Sequence, residues 1–271
     1  MNPVSTLRFS RLLLTGAAGG LGRELRPRLK AYCDVLRLSD VATMAPATVG
    51  EEVLECPLQD ADAVMKLLDG VQAIVHLGGV STEQPWAPIL AANIMGMVNL
   101  YEAARKHQVK RIVFASSNHV MGFYRQDQVV DALSPPKPDG FYGLSKAFGE
   151  DVAQLYWDRW GIETVSVRIG SSFPEPKDRR MLSTWLSYDD LERLVMAALT
   201  APVVGHSIIY GTSDNRSGWY DNRLARHIGY QPQDSSDRFR AAVEAAQPAL
   251  DLSDPAVLHQ GGGFVKATPH G

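Results

Sequence analysis

The sequence predicts an α/β fold, a doubly wound and mainly parallel sheet within one domain, carrying a smaller C-terminal lobe. Three observations predict it. Short apolar runs of strand length recur with amphipathic helical stretches between them. The runs are β-branched or leucine-rich rather than alternating, as strands buried on both faces must be. The first run passes straight into a glycine-rich turn that opens a helix, the beginning of a βαβ unit.

Taken in order, residues 11–14 form the first strand and 21–31 its helix, followed by a second strand at 35–38. A helix at 62–68 leads to a strand at 71–77, a helix at 88–107 to a strand at 111–115, and a helix at 142–160 to a strand at 164–169. Beyond Arg168 the alternation weakens. A Pro-rich, charged stretch at 173–180 precedes a helix around 189–199, a strand near 207–210 and helical stretches at 222–227 and 236–246. The Gly-rich 260–263 and the final 270–271 read as a terminal segment.

Bulk properties narrow the function. Lys plus Arg number 27 against 30 Asp plus Glu, so the net charge of -3 offers no basic footprint for nucleic acid or anionic lipid, and a small-molecule partner is expected. Cys33 and Cys56 have neither CxxC nor Cys/His spacing, which predicts buried free thiols, no metal site and a reducing compartment. Residues 1–11 lack a signal-like apolar core and no later run approaches a membrane span, so the expected location is the cytoplasm.

The turn itself reads Thr15-Gly16-Ala17-Ala18-Gly19-Gly20-Leu21-Gly22. Glycines at this spacing permit a tight turn, close approach of backbone to a pyrophosphate, and close helix packing, while the helix N-terminus offers N–H donors and positive dipole. Such turns are common in isolation. Here Asp40 ends the second strand, where a carboxylate can accept hydrogen bonds from a ribose diol and repel a 2′-phosphate, so the expected cofactor is NAD. A second constellation, Tyr142-Gly143-Leu144-Ser145-Lys146, opens a long helix. Residues four apart share a helix face, so the Lys146 ammonium is expected to lower the Tyr142 pKa and suit the phenol to removing a hydroxyl proton. Ser117 follows the strand at 111–115, at the carboxyl edge where open α/β sheets bind ligands.

Together the TGxxGxxG turn, the strand ending in Ser-Ser and the Tyr-x-x-x-Lys pair resemble the extended short-chain dehydrogenase/reductase family, which implies a Rossmann-type fold. Four further stretches are similar to bacterial uronate dehydrogenases: His76-Leu77-Gly78-Gly79-Val80-Ser81, Phe114-Ala115-Ser116-Ser117-Asn118-His119, Val167-Arg168-Ile169-Gly170-Ser171 and Arg179-Arg180-Met181-Leu182-Ser183-Thr184-Trp185. The resemblance implies NAD-dependent oxidation of glucuronate or galacturonate at C1 to an aldarolactone. It makes Tyr142 the general base, Lys146 its partner and nicotinamide-ribose ligand, and Ser117 a hydrogen-bond partner of the reacting hydroxyl. It assigns Gly16, Gly19, Gly20, Leu21, Gly22, Asp40, Leu58, Leu77, Gly78, Gly79 and Ile169, with Tyr142 and Lys146, to the cofactor. Ser81, Ser117, Asn118, His119, Tyr142 and Ser171 would meet substrate, with Arg180 clamping the carboxylate. A homo-oligomer is also implied.

On this view residues 1–271 form one domain, with 1–170 mainly the dinucleotide-binding core and 171–271 mainly a substrate-covering lobe and C-terminal segment. One departure stands out: many relatives place an acidic residue for the adenine amino group where this chain has Pro57. Without the resemblance, Arg180 reads as a solvated arginine beside Lys177 and Arg179, His119 as a packing residue, and Trp157, Trp160 and Trp185 as core or interface aromatics. Two rival functions follow the same fold. A nucleotide-sugar epimerase or dehydratase would need a larger lobe than the roughly one hundred residues after Arg168. A non-catalytic dinucleotide sensor would not need Ser117, Tyr142 and Lys146 together.

Overall fold

Seven parallel strands run in the order β3-β2-β1-β4-β5-β7-β8 in the computed structural model, which describes residues 8–247 and 250–267. The sequence expectations for residues 1–7 and 270–271 lie outside the described residues. Strand β1 (Phe9–Thr15) enters the Gly-rich turn and α1 (Gly20–Leu29), and β2 (Cys33–Asp40) pairs beside it. Then follow β3 (Glu51–Glu55), α2 (Ala61–Leu67) and β4 (Ala73–His76). Chain order runs outward from β1 in one direction to β3, then returns to β4 on the other side, so the switch point lies between β1 and β4. At that point the carboxyl ends of neighbouring strands part, leaving a crevice for a ligand.

The pleat sorts the core residues. Leu12 and Leu14 join one apolar cluster and Leu13, between them, joins the other. The first cluster packs α1 and α7 (Tyr188–Thr200) against one face through Leu25, Leu29, Leu191, Leu194 and Val195. The second packs α2, α4 (Gly96–Lys106) and α5 (Phe141–Trp160) against the other through Leu67, Leu100, Tyr101, Val152 and Tyr156. Burial at about 25 cal/mol per Å² of apolar surface on both faces makes the sheet the rigid platform from which the strand ends project.

Several elements differ from the sequence pattern. The expected helix at 88–107 is α3 (Trp86–Ile89), a π-helical segment (Leu90–Met95) and α4 in succession. The wide turn delivers Asn93 inward, where its Oδ1 accepts from Val80 N at 2.7 Å and its Nδ2 donates to Ser145 Oγ at 2.9 Å. The strand carrying Ser117 is also longer than expected: β5 spans Arg111–Ser117, so Ser117 is its last residue rather than a loop residue beyond it.

After β6 (Val130–Asp131) and α5 comes β7 (Glu163–Ile169), the last strand before the lobe. The lobe contributes α6 (Met181–Thr184), α7, β8 (His206–Gly211), β9 (Tyr220–Asp221), α8 (Arg240–Ala246) and α9 (Pro255–Leu258). β8 completes the main sheet and β9 pairs with β6. Residues 222–227, expected to be helical, lie largely in a 3-10 helix, Arg223–Ile228. The expected helix at 236–246 begins as a 3-10 turn before α8.

Candidate active site

Every site residue named from the sequence borders one cleft of about 930 Å³, which runs from the Gly-rich turn past Asp40 and Ser117 to Tyr142, Lys146 and Arg180. Backbone makes its first stretch. Gly16 has φ +70°, and a Cβ there would lie 2.6 Å from the Leu77 carbonyl carbon. At Gly22 a Cβ would collide with the Gly16 carbonyl oxygen, so this glycine lets α1 press against the turn. Gly20 has open space instead, and the first turn of α1 contains no acidic residue to quench its positive end. Leu77 and Gly79 line the same wall, and Leu58 fills the space where a Gly78 Cβ would stand, 2.9 Å from Leu58 Cδ1.

Asp40 ties the turn to β2: its Oδ2 accepts from Ala18 N at 2.9 Å and its Oδ1 from Ala42 N at 3.0 Å. Each oxygen keeps further acceptor capacity, and Asp40 borders the cleft. An open helix N-terminus, an anchored carboxylate and glycines set by backbone crowding fit a dinucleotide. The two cysteines are buried free thiols, with burial pushing Cys33 up to about 11. Among the described residues no cluster of His, Cys, Asp and Glu could hold a metal, and no helix is long and apolar enough to cross a membrane.

Ser117 at the end of β5 faces α5. Its Oγ accepts from His119 N at 3.2 Å, capping the short 3-10 turn that presents Asn118 and His119. Burial pushes the Tyr142 phenol up to about 12, with a hydrogen bond to Ser117 pulling it down and Asp139 pushing it up. Lys146, buried but bordering the cleft, donates to Ala115 O at 2.8 Å, and burial brings its ammonium down to about 8. The lowering of Tyr142 expected from Lys146 does not appear: burial dominates both groups, Ser117 is what pulls the phenol down, and the ammonium lies 5.7 Å from the Tyr142 ring centre.

The helix bearing both groups is fixed at two places that no motif indicates. Gly140 at its N-cap has no side chain to offer, and Glu83, from the loop after β4, accepts from Phe141 N and Tyr142 N, each at 2.9 Å. One turn beyond Lys146, Glu150 forms a buried bidentate pair with Arg168 of β7, at 2.9 and 2.8 Å, and accepts from Ser116 Oγ at 2.6 Å.

The remaining wall comes from the lobe. Ser171 Oγ lies 2.9 Å from Thr184 Oγ1, and Ile169 and Ser81 also line the cleft. The structure separates the two arginines. Arg179 turns away to donate to Glu244 O, whereas Arg180 lines the cleft, its Nε donating to Gln260 O at 2.5 Å and its buried Nη2 without a protein partner. Segment 260–263, which the sequence suggests is a plain terminal tail, is instead a strap: Gln260 N donates to Tyr124 O and Gly261 N to Gly122 O, each at 2.8 Å. It brings in Phe264, absent from the sequence candidates, stacked on His119 with ring centres 3.8 Å apart. Gln59, Phe173 and Tyr188 are further cleft residues that no local pattern marks.

The sequence pattern of the NAD dependent epimerase/dehydratase family matches residues 12–203. The chain belongs to this family. Within it, the chain is 61% identical over 267 residues to a uronate dehydrogenase of Pseudomonas putida, covering 98% of this chain and 99% of that protein. A solved glucuronic acid dehydrogenase from Chromohalobacter salexigens superposes with TM-score 0.94 at 50% identity, covering 96% of this chain and 97% of the other. A variant of the Agrobacterium tumefaciens uronate dehydrogenase complexed with NAD gives TM-score 0.94 at 47% identity, covering 96% and 98%.

Proposed function

We propose that the protein is an NAD-dependent uronate dehydrogenase, oxidising D-glucuronate or D-galacturonate at C1 to the aldarolactone. The observation that carries this reading is Arg180: a buried guanidinium nitrogen without a protein partner, in the same cleft as Ser117, Tyr142 and Lys146. A guanidinium fork matches a carboxylate bidentately, and a uronate is the sugar that brings one. The near-complete coverage of uronate dehydrogenases supports it.

NAD, when bound, supplies the hydride acceptor for C1 and one positive charge. Asp40 would hold the adenosine ribose, the turn at Gly16, Gly19, Gly20, Leu21 and Gly22 the pyrophosphate, and Leu58, Leu77, Gly78, Gly79 and Ile169 the flanking surfaces. Gln59, next to Leu58, is the polar side chain available to adenine where Pro57 offers none. Ser117 and Tyr142 hold the C1 hydroxyl, and Tyr142, ionised to the phenolate by the positive charge that Lys146 and bound NAD bring beside it, takes the hydroxyl proton. Lys146 keeps positive charge near that oxygen and can donate its remaining N–H bonds to the nicotinamide ribose. Ser81, Asn118, His119 and Ser171 orient the ring hydroxyls. Because the sugar ring stays closed, loss of hydride and proton from the hemiacetal gives the lactone directly. Positioning is the main work left to the protein.

The division of labour is then mainly 1–170 for the cofactor and mainly 171–271 for covering the substrate, although β8 belongs to the sheet and Ser81, Ser117, Asn118 and His119 meet the substrate from the first part. The exposed Met95, Val98, Leu144 and Leu155 on and beside α4 and α5 suit an interface in a homo-oligomer, and the unpaired thiols suit the cytoplasm. The test is NADH formation with glucuronate, galacturonate, the corresponding neutral hexoses and their nucleotide-linked forms. Turnover of uronates well above the others is expected. Preference for a neutral or nucleotide-linked sugar would overturn the assignment.

A further inference from the structure

Beneath His119 lies a carboxylate that hydride transfer does not use. Asp139 closes the loop between β6 and α5, its side chain fully buried at 0% exposure, and its Oδ2 is 2.7 Å from His119 Nδ1. Three separate segments give up side-chain volume to accommodate it. A Cβ on Gly122 or on Gly261 would collide with this carboxylate, and one on Gly143 would lie 3.2 Å from Oδ1. Asp139 N also donates to His119 O at 3.3 Å, so backbone and side chain hold the same residue. Phe264 stacks on the ring, and Tyr142 meets it edge-on at 5.9 Å between centres. His119 borders the cleft and Asp139 does not, so Nδ1 points into the protein and the opposite edge of the ring, with Nε2, faces the substrate space.

An ionised carboxylate only accepts, so the nitrogen beside it must carry the proton. In a neutral imidazole the other nitrogen is then an acceptor. We propose that Asp139 is a positioning residue that fixes His119 as the Nδ1–H tautomer, so that Nε2 accepts from a sugar hydroxyl and turns away the substrate carboxylate. The choice of a sugar as ligand rests on the function proposed above; the tautomer does not. With an acceptor at His119 and a cation at Arg180, a uronate fits one way round, hydroxyl edge to the histidine and carboxylate to the arginine. The pair thus selects ring orientation, a specificity function distinct from the proton transfer at Tyr142.

The full-length protein labelled with ¹⁵N-histidine tests this by NMR at a pH where the ring is neutral, with His119→Gln identifying the signals among the seven histidines. Native His119 is expected to carry hydrogen on Nδ1, and Asp139→Asn, whose amide can donate to Nδ1, to shift population toward Nε2–H. In kinetics, Asp139→Asn should raise the uronate KM roughly tenfold, with a smaller change in kcat and none in the NAD KM. Among singly deoxygenated uronates, the native enzyme should discriminate most strongly against one, and Asp139→Asn should lose that discrimination. An Nε2–H native tautomer, or equal damage to the uronate and NAD constants, would overturn the proposal. Native protein that oxidises no uronate would instead dispose of the substrate assignment, while the NMR measurement would still decide what Asp139 does.

Discussion

From Gly16 to Gly79 the cleft is walled by a glycine-rich turn and by side chains at the ends of adjacent strands, whereas around Tyr142 it is walled by side chains from segments as distant as Ser81 and Phe264. The first stretch resists change where it turns, because Gly16 and Gly22 are held against neighbouring main chain. The second rests on individual contacts such as Arg180 to Gln260 and His119 to Asp139. A rigid cofactor wall facing a side-chain wall lets one platform serve different sugars while the hydride acceptor stays in place. The contrast predicts that substitutions on the two sides fail differently.

The largest effect should come where both sides meet. Tyr142→Phe removes one oxygen and is expected to lower turnover by about 10²–10⁴, with NAD affinity by titration calorimetry near native. Near-native turnover would remove the phenol from the mechanism. On the cofactor side, Asp40 should make NAD strongly preferred over NADP, since facing a 2′-phosphate with a carboxylate costs several kcal/mol, or about a hundredfold and more. Equal efficiency with both cofactors would show that Asp40 serves only to tie Ala18 and Ala42. Gly22→Ala is a test of wall rigidity. Its methyl would collide with Gly16 O and lie 2.7 Å from Ala17 Cα, and overpacking of this kind costs about 1–3 kcal/mol. NAD affinity and thermal stability should fall together; unchanged values of both would mean that the turn yields easily.

The same contrast explains what could be read from the chain. Gly16, Gly19, Gly22 and Asp40 are legible because a strand-turn-helix leaves its requirements in consecutive residues. Ser117, Tyr142 and Lys146 are legible because strand ends and helix spacing place them. Strand β3 is not, because it lies at the sheet edge with polar faces: Glu51 pairs with Arg26, and Glu52 with Arg37 and Arg11, so no apolar run announces it. The π segment is hidden for another reason, since one wide turn within a helical run leaves no periodic trace around Asn93. Phe264, Asp139 and Glu83 escape because each gains its role from a partner far away in sequence, and a lone aromatic or acid in a loop carries no local mark of that partner.

Arg180→Ala sharpens the comparison from the substrate side. Loss of a charge-assisted contact worth about 1.5–3 kcal/mol should lower kcat/KM for uronates by one to two powers of ten, with Lys recovering part of it. The substitution also releases Gln260 O, so general loosening of the strap must be separated from loss of the clamp. Residual activity on a neutral hexose makes that separation: the ratio of uronate to hexose efficiency should collapse. An unchanged ratio would move the clamp elsewhere.

The smallest effect tests the joint between the two walls. Helix α5 has a glycine N-cap and no acid in its first turn, so two N–H groups at its positive end depend on Glu83. Its fit is close, since a Cβ on Gly140 would collide with the same carboxylate. Replacing a capping side chain typically costs about 0.5–2 kcal/mol. Glu83→Gln keeps one acceptor oxygen and loses the charge, so it should lie near the lower end, with Glu83→Ala near the upper. At roughly 2–4 °C per kcal/mol for a chain of this size, both shifts fall within reach of calorimetry. Because Glu83 also anchors the loop that bears Ser81, the uronate KM should rise in the same order while NAD affinity stays constant. A fall in melting temperature without a change in the uronate KM would confine Glu83 to capping. A change in NAD affinity as large as that in the uronate KM would show that the cofactor wall is less independent of α5 than its backbone construction implies.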